Sequence, residues 1–430
     1  MQAIILAVAV LCLLCTSLAS AQSEPQLLLQ GRFGGSVDEN ADLGTLPLMF
    51  SWPSSSVYLT FHNSSKISAT ISALTPTHAS AGYYTRFAFY LDQQQISVES
   101  TNPDNTVIYW NATGLTLDEH NLTITKVSEA SYGEASLTSL TLASGGSFLS
   151  PAAPAALLTG RRIQIIGDSY TVGLGNVGNS ACNAMAVCRG TTCMPPLEAE
   201  DTSQSWGVVV ADQFSADYEL IAWTGAGLVT YSYAQSAESN DNDQPAAIQQ
   251  AQYPKLNSLW ERQVAADSTS IAYNLSSWTP QIVLMAAGPN DFHLLPATPV
   301  DVWRNNYIEF LDMLNQEYGD PQIILVVMPQ EVPAEGASLG PNFNDTTTYI
   351  EYMANLYTAS QMEGLTNVHL LQLDALGMPL ADWCDGHPNV AADANIAGQV
   401  SAYINAVLPS WANTTYPTVN RVDGAYVDTT

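Results

Sequence analysis

Over the first third of the chain, apolar and polar residues alternate in short runs. "SVYLTFH" (56–62), "TRFAFYLD" (85–92), "NLTITKVSE" (121–129) and "SLTSLTLA" (136–143) carry a period of two, and clusters of Gly, Pro, Asn and Ser separate them. Strands at this spacing predict an all-β sandwich over residues 22–150. The pattern breaks at "SPAAPAALLTG" (150–160), where Pro151 and Pro154 among alanines predict a short, stiff linker over 151–160.

Beyond the linker the period changes. "RRIQIIG" (161–167), "YELIAWTG" (218–225), "QIVLMAAG" (281–288), "QIILVVMP" (322–329) and "NVHLLQLD" (367–374) are apolar runs of strand length. Between and after them lie helical patterns. "SQSWGVVVADQFSA" (203–216) and "ADANIAGQVSAYINAVL" (392–408) are two, and residues 300–319 place Trp303, Tyr307, Phe310, Leu311 and Leu314 on one helix face. Alternating strands and helices predict an α/β domain over 161–410, a parallel sheet with helices on both faces and its site at the carboxyl ends of the strands. The polar stretch 235–252 reads as a surface loop insertion and 411–430 as a polar tail.

Composition adds a compartment. Residues 1–21 read as a signal peptide, with an apolar run from Ala3 to Leu14 and an Ala19-Ser20-Ala21 cleavage pattern, although Lys and Arg are absent from its start. Six N-x-[S/T] sequons, at Asn63, Asn111, Asn121, Asn274, Asn344 and Asn413, fit a secreted glycoprotein. After the signal the chain keeps Cys182, Cys188, Cys193 and Cys384, which an oxidising compartment would join as two disulfides in one of three connectivities. Zinc binding is the rival reading, and Cys-x5-Cys-x4-Cys is not a usual zinc spacing. With 11 Lys and Arg against 40 Asp and Glu, the 430-residue chain carries a net charge of −29. Such a surface repels nucleic acid and anionic membrane and suits a neutral substrate.

Four short elements carry candidate chemistry. In "IIGDSYTVG" (165–173), Ser169 follows a strand end through a Gly-Asp turn, where a nucleophile would be held up toward the strand edge. "WTGAGL" (223–228) follows another strand, and Gly225 or Gly227 there can bring a backbone N–H to a substrate. In "AAGPNDFH" (286–293), Asn290 can donate a side-chain N–H to an oxyanion, while Asp291 reads as a local cap. In "DWCDGHPN" (382–389), His387 is a candidate general base and Asp385 a candidate orienter of its ring. His62, His78, His120 and His369 read as structural, and His293 draws notice only because it neighbours Asn290.

The order Ser, Gly, Asn, Asp-x-His resembles the SGNH (GDSL-like) hydrolases, with Ser169, Gly225, Asn290 and His387 in the four blocks. The wider superfamily commonly places Asp three residues before the histidine, a position held here by Cys384. The Asp-x-His spacing followed by Pro-Asn is similar to carbohydrate esterase family two. The front segments "LQGRF" (29–33), "FSWPSSSVYLTF" (50–61) and "GLTLDEHNLTITKVSEASYG" (114–133) resemble that family's jelly-roll module. The resemblance implies an N-terminal jelly-roll sandwich on a flavodoxin-like α/β SGNH domain. It also implies a secreted, monomeric serine esterase that removes O-acetyl groups from polysaccharides such as xylan or glucomannan. No cofactor or metal is called for.

On that expectation Ser169 attacks the acetyl carbonyl, His387 takes its proton, and the Ser169 and Gly225 amides with Asn290 hold the oxyanion. Trp223, Phe292 and Trp383 flank the elements and are candidate sugar platforms, with core packing as the alternative. A disulfide from Cys384 to Cys182, Cys188 or Cys193 would tie the histidine loop to the segment after the serine. Competing readings are an esterase for a non-carbohydrate ester and an inactive carbohydrate-binding wall protein.

Overall fold

The computed structural model describes residues 27–34, 40–41, 43–74, 84–178, 182, 187–189, 192–194, 197–230, 255–265, 272–292, 298–328, 346–374, 384 and 386–412. Eleven strands form the front domain: β1 (Leu27–Gln30), β2 (Asn40–Ala41), β3 (Leu48–Phe50), β4 (Ser56–His62), β5 (Lys66–Ala73), β6 (Arg86–Leu91), β7 (Gln94–Ser100), β8 (Val107–Thr113), β9 (His120–Lys126), β10 (Ala135–Leu142) and β11 (Ser147–Leu149). They pair antiparallel in two sheets. One runs β2-β1-β4-β9-β6-β7 with β11 beside β4, and the other runs β3-β10-β5-β8. The alternating apolar residues point between the sheets. Val57, Leu59 and Phe61 of β4 pack with Ile67, Ala69 and Ile71 of β5 and with Phe87 and Phe89 of β6 in one core. This is the all-β sandwich the alternating pattern predicts and the jelly roll the family resemblance implies.

The second domain holds the parallel sheet. Its strands are β12 (Arg162–Gly167), β15 (Asp217–Ala222), β16 (Ile282–Ala286), β17 (Gln322–Val327) and β18 (Val368–Gln372), and a small hairpin of β13 (Val187–Arg189) and β14 (Thr192–Met194) lies outside the sheet. Ahead of the sheet, α1 (Ala155–Leu158) follows the sandwich. The sheet order is β15-β12-β16-β17-β18, the 2-1-3-4-5 order of flavodoxin-like folds, with every pairing parallel. A short helical turn, α2 (Ser169–Val172), follows β12. The remaining helices are α3 (Trp206–Gln213), α4 (Leu256–Trp260), α5 (Val300–Tyr318), α6 (Thr346–Met362) and α7 (Val390–Val407). Strand parity decides which face each covers. Ile166, Ile221, Val283, Met285, Ile323 and Leu325 pack with α4, α5 and α6. Ile163, Ile165, Leu220, Leu284, Ile324 and Val326 pack with α3 and α7.

The two domains share buried chemistry. Trp52 and Ala130 of the sandwich belong to the hydrophobic cluster of the α5 face, and Tyr132 to that of the α3 face. Arg32, between β1 and the next bend, is buried against β15. Its guanidinium pairs with Glu219 at 2.7 Å, donates to the carbonyls of Trp260 and Arg262, and lies 3.8 Å from the centre of the Tyr273 ring. A buried ion pair needs this full set of partners to offset the loss of water. Among the described residues, no helix is long and apolar enough to cross a membrane.

Candidate active site

The site is assembled where strand order reverses around β12. Gly167 ends β12, and a side chain there would strike Thr171 Oγ1 at 2.1 Å and the Ala286 carbonyl at 2.6 Å. Only glycine lets β12 and the turn carrying Ser169 come this close. Asp168 caps α2 by accepting from the Tyr170 N–H, so the chain leaves the sheet edge directly into the serine. Ser169 is 8% exposed. His387 arrives from the segment between β18 and α7, and its Nε2 lies 2.8 Å from Ser169 Oγ. At that distance an imidazole could take the proton of a serine hydroxyl.

The histidine loop starts at the far side of the sheet and must be held over β12. A disulfide joins Cys384 to Cys182, so the histidine loop is tied to the segment after Ser169. The His387 N–H donates to the Cys384 carbonyl at 2.9 Å, which closes the turn. Tyr170, next to Ser169, donates its hydroxyl to the Gly386 carbonyl at 2.9 Å, and its ring centre lies 5.0 Å from that of His387. The Val390 N–H at the start of α7 donates to Asn176. The sequence reading gave Tyr170 no role, and its position beside Ser169 was the available signal.

Gly225 follows β15 with φ of +79°, a left-handed conformation that favours glycine. Neither its N–H nor that of Ser169 donates to another described residue. Asn290 lies in a helical turn after β16, 9% exposed. Its Nδ2 donates to Asp168 Oδ2 at 3.0 Å and to the Ala226 carbonyl at 3.3 Å, so it links the elements after β12 and β15. Burial pushes the Asp168 carboxyl up to about 7, against the opposing pull of the hydrogen bonds it accepts. Asp168, the middle residue of the Gly-Asp-Ser turn, thus holds the Asn290 side chain in place.

Asp291 departs from the local cap expected of it. Its carboxylate reaches across to the loop after β15 and accepts from the Leu228 N–H (2.9 Å), the Val229 and Thr230 N–H groups (2.8 Å each) and the Thr230 hydroxyl (3.2 Å). Buried as it is, its carboxyl is pushed up to about 6 despite those four donors.

Two aromatic expectations are corrected. Trp223 is fully buried in the hydrophobic cluster of the α5 face. Phe292 is buried in the same cluster against Trp303 and Tyr352. Rings enclosed by core side chains offer no platform to a sugar. Trp383, Asp385, Asp382, His293 and His78 lie outside the described residues, as do residues 1–26 and 235–252, Asn344, Asn413 and the tail beyond 412. Asn63, Asn111, Asn121 and Asn274 are exposed. Away from the site, His120 pairs with Asp92 at 2.8 Å and His369 with Gln322 at 2.9 Å. The backbones of Cys188 and Cys193 are paired opposite each other in the β13–β14 hairpin.

The sequence of the front domain matches the family described as "Carbohydrate esterase 2 N-terminal" over residues 34–152. The fold agrees across both domains. A family two carbohydrate esterase from Clostridium thermocellum, solved in complex with cellohexaose, superposes with a TM-score of 0.67 at 21% identity, covering 90% of this chain and 100% of the other. The chain has the two-domain fold of the family two carbohydrate esterases. In sequence it is 24% identical over 383 residues to "Cellulase/esterase CelE" of Acetivibrio thermocellus, covering 89% of this chain and 40% of the relative. It is 25% identical over 176 residues to an "Acetylxylan esterase / glucomannan deacetylase" of Cellvibrio japonicus, covering 39% of this chain and 42% of the relative. The chain thus spans well under two thirds of the length of these curated relatives.

Proposed function

We propose that the chain is a secreted serine esterase that removes O-acetyl groups from polysaccharides such as xylan or glucomannan. The observation that carries this reading is the 2.8 Å contact between Ser169 Oγ and His387 Nε2, beside Gly225 and Asn290 at the carboxyl edge of the sheet. The activities named for the CelE and Cellvibrio japonicus relatives, and the cellohexaose held by the family two structure, point to a glycan as the ester's carrier. The apolar start of the chain and the exposed sequons support secretion.

His387 takes the hydroxyl proton as Ser169 Oγ attacks the acetyl carbonyl. The oxyanion then forms against the Ser169 and Gly225 N–H groups and Asn290 Nδ2. For Asn290 the longer contact, to Ala226, is the one the oxyanion displaces, while Asp168 keeps hold of the other N–H. His387 returns the proton to the departing sugar hydroxyl, and water cleaves the acetyl-enzyme by the same steps in reverse. Asp385 is the proposed orienter of the imidazole. Its replacement by Ala should cost less turnover than Ser169→Ala.

The test is acetate release from acetylated xylan and acetylated glucomannan by wild type and Ser169→Ala. Release by wild type that disappears in the variant supports the reading. Cleavage of 4-nitrophenyl acetate through Ser169 without release from either glycan would move the enzyme to non-carbohydrate esters. Release that persists in Ser169→Ala would overturn the serine mechanism.

A further inference from the structure

The oxyanion loop after β15 is held at both ends by carboxylates, and one of them comes from the other domain. Glu129 follows β9 in the jelly-roll sandwich, is fully buried, and accepts the Thr224 N–H through Oε2 at 2.9 Å. Thr224 immediately precedes Gly225. Glu129 is itself fixed from the α/β side, because its own N–H donates to Glu200 Oε1 at 2.6 Å. The Lys126 ammonium is buried in the same cluster and donates to the Ser128 carbonyl.

This is a costly arrangement for mere adhesion between domains. The second oxygens of Glu129 and Glu200 are buried without a hydrogen-bond partner of good geometry among the described residues. Burial raises both carboxyls, and the Glu129 charge raises Glu200 further, against the opposing pull of the Lys126 ammonium on each. An apolar contact of the same volume would join the domains without those penalties. What an apolar contact cannot supply is an acceptor aimed at the peptide that leads into Gly225. The orientation of that peptide fixes where the chain enters the left-handed residue, and so where its N–H points.

We infer that Glu129 is a positioning residue for the oxyanion hole, so that the jelly-roll domain completes the catalytic geometry of the α/β domain. The inference rests on the serine-esterase reading above. It makes the sandwich part of the machinery for the proposed chemistry, in addition to any contact it makes with a glycan.

The test separates length from charge at one position. Glu129→Gln keeps an acceptor oxygen at the same reach and removes one of two crowded charges. Glu129→Asp keeps the charge but withdraws the acceptor by one methylene, and Glu129→Met keeps the length with no acceptor for the Thr224 N–H. Kinetics are measured on 4-nitrophenyl acetate and acetylated xylan with full-length protein, with folding checked by near-ultraviolet circular dichroism. One oxyanion donor is worth about a hundred- to thousandfold in rate, so partial misplacement should lower kcat roughly ten- to hundredfold in whichever of the Asp and Met variants folds, with KM within about twofold. Glu129→Gln should stay within about threefold of wild type. A role in electrostatics alone predicts the reverse order, Asp active and Gln impaired, and that result overturns the inference. So does equal loss in all variants, or full kcat in a folded Asp or Met variant. Wild type inert toward both esters would overturn the esterase reading and this inference together, whereas active wild type with unaffected variants overturns only this inference.

Discussion

Asp291→Asn should move stability and activity in opposite directions as pH rises. The carboxyl of Asp291 sits among four donors from the Gly225 loop, yet burial lifts it from 3.8 to about 6. The folded chain therefore holds this proton up to about pH 6, while the unfolded chain releases it near pH 4. In that window the folded state binds more protons than the unfolded state, so stability falls as pH rises. A displacement from 3.8 to about 6 amounts to about 3 kcal/mol of stability lost between about pH 4 and pH 8. Asn does not titrate. Its stability relative to wild type should improve by about 3 kcal/mol across that range.

Activity should go the other way. Asn offers one acceptor oxygen where the carboxylate offers two, and turns an N–H group toward donors that need acceptors. At least one of the Leu228, Val229 and Thr230 amides then loses its partner, and the loop that carries Gly225 relaxes. A displaced oxyanion donor should lower kcat by about tenfold or more. Urea unfolding of both proteins at about pH 4.5, 6 and 8, with 4-nitrophenyl acetate kinetics at pH 8, reads both effects. Parallel stability–pH curves would refute the raised carboxyl, and wild-type kcat in the variant would refute its hold on the loop.

Four further outcomes are expected. Asn290→Ala should lower kcat by about a hundred- to thousandfold with little change in KM, and unchanged turnover on 4-nitrophenyl acetate would remove it from the oxyanion hole. Tyr170→Phe deletes the hydroxyl that holds the Gly386 carbonyl, at a cost of about 1 kcal/mol in unfolding and several-fold in kcat; a rate equal to wild type would leave the His387 loop to the disulfide and the backbone bonds around it. Peptide mapping without reduction should find Cys182 linked to Cys384 and Cys188 to Cys193, the latter from their cross-strand pairing. Cys384→Ser opens a link between residues 202 positions apart, which on chain entropy alone stabilises by roughly 5 kcal/mol, and urea unfolding measures the loss.

The chemistry was legible because each chemical group lies next to a strand end that the apolar pattern marks. Ser169, Gly225 and Asn290 follow β12, β15 and β16 within a few residues, and these are the three strands adjacent at the reversal of the sheet. Some unpredicted elements carried the same signals. Tyr349, Met353, Leu356 and Ser360 of α6 are spaced by four, three and four, and Ile67, Ala69 and Ile71 of β5 alternate. Others carried none. β7 has no buried residue, being exposed or half-buried along its length, and takes its place by pairing with β6, so Ile96 and Val98 are too short an alternation to mark it.

The supports of the site were hidden for a different reason. Arg32 and Glu219 are 187 residues apart, Glu129 and Thr224 95 apart, and Leu228 and Asp291 63 apart. No local pattern announces an acidic side chain whose acceptors will be needed by a loop that distant. In sequence, Asp291 reads as a turn residue and Glu129 as a polar residue near a strand end. Each is costly where it sits, since burial raises both carboxyls. That cost distinguishes them from ordinary caps. A carboxylate that stability alone would replace, retained against the peptide it orders, is the physical mark of a group held for geometry at the reacting centre. In this fold those marks flank Gly225 on both sides, one from each domain.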